Sequence, residues 1–151
     1  MTTLIPMADI QNPEVRIYAE EAITFMSEKR WCRRVCSLEL AWSIAGITGI
    51  FFVRIEPSEP DVDTELWVVV GDLPPAHLVT DEAPDWRGAL EGYIEEMGRW
   101  VEAASHGRPV GDLIPVNVAP TRENAKMLKG RLKFLQEHFM DVDPTELESD
   151  A

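Results

Sequence analysis

Residues 38–55 read LELAWSIAGITGIFFVRI, and the fold turns on how this run divides. Leu38, Leu40, Trp42 and Ile44 alternate with Glu39, Ala41 and Ser43, which is the two-residue period of a strand with one buried face. That period predicts the four large residues on one side of the strand. Gly46 and Gly49 interrupt the pattern, so Ala45 to Gly49 reads as a turn. Ile50 to Ile55 is β-branched and aromatic on both sides, as expected of the return strand of a hairpin. The first strand, clean on one face only, belongs at an edge of the sheet. The second, apolar on both faces, belongs inside it.

Working outward toward the C-terminus, Glu56 to Thr64 is an acidic loop with Pro57 and Pro60, expected to be exposed and mobile. Leu66 to Val70 is a third strand, again two-sided, with Leu66, Val68 and Val70 opposite Trp67 and Val69. A strand of that kind at an open edge recruits other chains, so it needs a second neighbour. The segment Leu113 to Val118 is one candidate, and its Pro115 fits only an outermost strand. The same strand of a second copy is the other, so both a monomer and a homodimer are open.

Helices flank these strands. Asn12-Pro13-Glu14 combines an N-cap, a proline at the first helical position and an acid in the first turn. The stripe Val15, Tyr18, Ala22, Phe25 and Met26 then predicts a helix over 13–31. Trp86, Leu90, Tyr93, Met97, Trp100 and Ala104 form the core face of a second helix, stopped at Gly107. Thr121 caps a third, with Ala125, Leu128, Leu132, Leu135 and Phe139 as its buried stripe. The expectation is one α+β domain: an N-terminal helix, a three- or four-stranded antiparallel sheet, and two C-terminal helices packed on it. Residues 1–11 and 141–151 are expected to fray as tails.

The chain has 151 residues, 14 Lys+Arg against 27 Asp+Glu, and a net charge of −13. That length supports one core, and that charge repels phosphate backbones, so no nucleic-acid partner is expected. No secretory signal pattern opens the sequence. The longest nearly apolar stretch, Leu40 to Val53, falls short of the roughly 20 residues needed to span a bilayer, so no membrane partner is expected. Cys32 and Cys36 would stand about 13 Å apart on a strand, which excludes a disulfide there. Reduced thiols fit a cytoplasmic protein.

Few residues form a recognisable chemical motif. Cys-x3-Cys with the scattered His77, His106 and His138 does not make a zinc site. Asp61 to Asp72 lacks the glycine and glutamate of a calcium loop, and no glycine-rich phosphate loop is present. No metal or cofactor is therefore expected. Asp72, after Gly71 at a strand end, and His77 could form an acid–base pair, with Trp67 beside them. Their simpler reading is a rigid turn. Arg122, Lys126, Lys129 and Lys133 form a basic row about 100° from the apolar stripe of the third helix, either a solvated face or a site for an acidic group.

The run Leu66-Trp67-Val68-Val69-Val70-Gly71-Asp72-Leu73-Pro74-Pro75 resembles a strand motif of small bacterial domain-of-unknown-function proteins, in which a Trp-Val-rich strand ends in Gly-Asp-Leu-Pro. The Trp31-Cys32 pair is also similar. The resemblance implies a bacterial origin and an α+β domain, and it transfers no catalytic residue. The expected function is a small acidic non-catalytic interaction protein with a basic protein as partner. The alternative is a small-molecule binder or enzyme with a pocket near Asp72 and His77.

Overall fold

The computed structural model describes residues 4–81 and 83–140. A two-residue strand β1 (Ile5–Pro6) and a 3-10 turn (Met7–Asp9) precede helix α1 (Pro13–Ser27). Strands β2 (Cys32–Ile44), β3 (Thr48–Pro57), β4 (Glu65–Gly71) and β5 (Ala76–Val79) follow. Helices α2 (Trp86–Ser105) and α3 (Arg122–Leu135) complete the fold, with one π turn (Gln136–Met140) after α3. The strands form a five-stranded antiparallel sheet in the order β1-β2-β3-β4-β5. The class is α+β, with one strand more than the sequence pattern predicts at most.

Alternation along each strand divides the core in two. Leu66, Val68 and Val70 of β4 pack with Phe51, Val53 and Ile55 of β3 against Val15, Tyr18, Ala19, Ala22 and Met26 of α1. Trp67 and Val69 face the other way, toward Leu90, Tyr93, Met97 and Trp100 of α2 and the buried stripe of α3. Each such large side chain contributes about 1.5–3 kcal/mol on leaving water.

Local chemistry sets the helix ends. The Asn12 side chain accepts hydrogen bonds from the amides of Glu14 and Val15, Asp85 from Gly88, and Thr121 from Asn124. Gly107, at φ +65, closes α2, with the Arg108 amide donating to the Ala103 carbonyl. Helix α1 stops at Ser27, before the expected Trp31, because the chain turns there to enter β2, and the Trp31 carbonyl accepts from the Ser58 amide across the sheet.

Three expectations about the sheet need correction. First, the second neighbour of β4 is β5, paired from Leu66↔Val79 to Val69↔Ala76. Residues 113–118 form no strand; Leu113, Ile114 and Val116 instead pack as loop against the α2 side of the core. Pro74 and Pro75 turn the chain straight back, so the shortest connection supplies the partner. Second, Trp42 does not share a face with Leu40. The β2–β3 register shifts between Leu40 and Trp42, and an extra residue there reverses the alternation. Leu40 faces α1, whereas Trp42 stacks on Trp86, centroids 4.7 Å apart and planes 3° from parallel. Third, β2 is not wholly an edge: Ile5 and Pro6 pair with Leu40 and Glu39. Ile10 is buried, so residues 5–10 belong to the fold. The expected C-terminal tail, 141–151, lies outside the described residues.

Candidate functional site

At one end of the sheet the β2–β3 turn meets the loop after β4, and Gly71 makes the meeting possible. Its φ of +131 is a conformation side-chain-bearing residues rarely adopt, and a Cβ there would overlap the Ile47 carbonyl oxygen. Three hydrogen bonds then lock the loop. The Asp72 amide donates to the Ile47 carbonyl at 2.8 Å. The buried Thr48 hydroxyl donates to the Val70 carbonyl at 2.8 Å. The Tyr93 hydroxyl, from α2, donates to the Pro74 carbonyl at 2.5 Å. Burial pushes the Tyr93 phenol far above its ordinary range, so it remains a donor. This loop presents Leu73 as a fixed knuckle.

Three hollows meet at Leu73. The largest, about 680 Å³, lies between the loop and α1. Ile17, Glu20, Glu21, Thr24, Phe25, Glu28 and Lys29 form one wall, and Val70, Gly71, Leu73, Pro75 and Asn117 the other. Glu20, Glu21 and Glu28 form no ion pair among the described residues. The Lys29 ammonium stands 4.0 Å from the centroid of Phe25, so a ring in this wall already holds a cation. The second hollow, about 440 Å³, lies against α3 between Leu73, Ile47, Met127, Arg131 and Phe134. The third, about 320 Å³, shares Asp72, Leu73, Met127 and Arg131 with it and adds Val118. Among the described residues the exposed large hydrophobics are Ile17 at 52%, Val118 at 44%, Met127 at 57% and Phe134 at 39%, and all four line these hollows. They lie together at one end of the sheet rather than singly over the surface.

No family model, curated protein or solved structure matches this chain.

The residues singled out in the sequence separate into different environments. Asp72 is exposed and pairs with Arg131 of α3 at 3.5 Å, an arrangement worth at most about 1 kcal/mol at the surface. His77, on β5, turns toward α1, its ring 5.1 Å from Trp31 and 6.1 Å from Phe25. Burial, and secondarily Lys29, hold its pKa below the usual imidazole range. Asp72 and His77 are thus held by different partners, and no hydrogen bond joins them. Trp67 is buried on the opposite face of the sheet from His77, where its indole donates to the Ala83 carbonyl at 2.7 Å. Arg122, Lys126, Lys129 and Lys133 are all exposed along α3, and Lys133 lies 3.9 Å from Glu137.

Acidic segment 58–64 is exposed apart from the half-buried Val62, which packs on the α1 side of the core. The acids flanking it are neutralised locally, Glu56 by Arg34 at 2.7 Å and Glu65 by Arg54 at 3.0 Å. Sequence reasoning missed the carboxylate wall of α1. The signal was present in the helical period: Ile17, Glu21, Thr24 and Glu28 fall off the buried stripe and on one side together. Chemically, carboxylates, an aromatic face and apolar contact in one groove suit a cationic, partly apolar surface.

Proposed function

We propose that this chain is a non-catalytic binding protein that docks a basic protein surface in the groove between α1 and the 71–75 loop. The observation that carries the reading is the wall of Glu20, Glu21 and Glu28, without ion pairs among the described residues, around Ile17 and Phe25. Apolar area supplies affinity there, and the carboxylates supply selectivity and a fast approach. The net charge of −13 steers a basic partner from a distance. The Gly71-Asp72-Leu73-Pro74 run, which resembles the bacterial strand motif, forms the opposite lip, so a bacterial cytoplasmic setting is part of this proposal. A small-molecule site at Asp72 and His77 has less support, because Asp72 is engaged by Arg131 and the His77 ring by Trp31 and Phe25.

The test compares two variants of equal charge change. One is Glu20→Gln/Glu21→Gln/Glu28→Gln in the groove. The other is Glu59→Gln/Asp61→Asn/Asp63→Asn in the exposed acidic loop. Each is titrated with a fluorescein-labelled peptide rich in arginine and leucine at about 0.15 M salt, where the Debye length is about 8 Å. The groove variant should lose about tenfold or more in affinity, about 1.4 kcal/mol, while the loop variant stays within about twofold of wild type. Equal losses would mean that the peptide reads bulk charge, and the groove would not be the site.

A further inference from the structure

We infer that α3 of a second copy of this chain fills the acidic groove when no other basic surface does, in a twofold dimer across the end of the sheet that carries Leu73. The inference rests on reading the groove as a seat for a basic surface, and it names an occupant.

The surface has the layout a self-complementary interface requires. On one side stand Glu20 and Glu21 of α1 and Glu28 at its C-cap. In the middle lie the knuckle Leu73 and the exposed Val118, Met127 and Phe134. Beyond them runs the basic row of α3. Gly130 stands between the apolar strip and that row, and apart from its chain neighbours and the backbone of its own helix nothing lies within 4 Å of where its Cβ would be, so no side chain separates the two there. A twofold axis near Leu73 brings the acidic side of each copy onto the basic side of the other and the apolar strips together. In such an isologous arrangement the same patch serves both subunits and the assembly closes at two.

Spacing supports the pairing. Glu21 of α1 and Glu28, the helical-conformation cap that follows it, are seven residues apart, and Lys126 and Lys133 are seven apart on α3. Two helical turns separate each pair by about 10.5 Å, so an antiparallel approach matches Glu21 with Lys133 and Glu28 with Lys126 of the other copy. The 3.9 Å contact of Lys133 with Glu137 is exposed and too weak to hold the lysine back. Burying the four exposed hydrophobic residues supplies attraction beyond the ion pairs.

The decisive experiment is a charge swap read by sedimentation velocity on the full chain at about 10 µM. Glu21→Lys/Glu28→Lys makes both groove-to-helix pairings repulsive in its own homodimer, and Lys126→Glu/Lys133→Glu does the same. All four positions are exposed, so folding should be intact, and circular dichroism checks it. Wild type should run as a dimer and each variant alone as a monomer. An equimolar mixture of the two variants should regain the dimer, because attractive pairing is restored in the mixed species. Three results would overturn the inference: a monomeric wild type, variants that remain dimers through some other edge such as β5, or a mixture that stays monomeric. The docking reading fails separately. A monomeric wild type that still binds the arginine-rich peptide at the groove sinks only the dimer, and a charge-swappable dimer that the peptide never displaces sinks only the docking of other basic surfaces.

Discussion

Gly71 is the residue on which the end of the sheet depends. Its positive φ and the closeness of the Ile47 carbonyl leave no room for a side chain. Gly71→Ala should lower stability by at least about 2 kcal/mol, combining backbone strain with steric overlap, and a urea titration would show the midpoint shift. His77 gives a second residue-scale outcome. Its folded pKa is depressed, first by burial and then by Lys29, so the unfolded chain binds the proton more readily. Stability is therefore fully present above the unfolded value, about 6.5, and falls as pH drops below it toward the folded value. His77→Phe keeps the ring packing against Trp31 and removes the proton. Between pH 8 and pH 5.5, the urea midpoint of wild type should fall further than that of this variant. Equal slopes would show that other groups set the acid limb.

Among the elements, α2 is the best determined. Its core face runs from Trp86 to Ala104, and the Asp85 carboxylate caps it by accepting from the Gly88 amide at 2.8 Å. Asp85→Ala should cost about 1 kcal/mol, seen as a lower thermal midpoint with an unchanged far-ultraviolet spectrum in the folded baseline. Helices α2 and α3 were legible because long periodic stripes and capping residues agree over many turns. The β3–β4 pair was legible because both strands are apolar on both sides. Strand β5 was not: Ala76 to Val79 is four residues, too short for any period to emerge. The bulge between Leu40 and Trp42 was invisible for a different reason. The residues still alternate in the chain, and only the pairing with β3 shows that the phase reverses.

For the molecule as a whole, charge and shape combine at one end. The largest of the three hollows at Leu73 is walled by carboxylates of α1 and its C-cap, the basic row lies on α3, and the apolar knuckle stands between them. Among the described residues no helix is long and apolar enough to cross a membrane. By itself the sequence determined the α+β class, the three helices with most of their buried stripes and the caps Asn12, Gly107 and Thr121, and the interior position of β4. These follow from local periods and from the cost of exposing a two-sided strand. It also determined the acidity of the chain, which acts on partners through long-range electrostatics whatever the fold. Only the tertiary structure decided which strand guards β4, which face Trp42 joins, and that Asp72 and His77 find different partners. It alone brought Ile17 of α1, Leu73 of the loop and Met127 of α3 to one end. Those three lie on separate elements, and no period along a chain records which ends of two helices and a sheet will meet. That is settled by register and by the packing of helices on opposite faces.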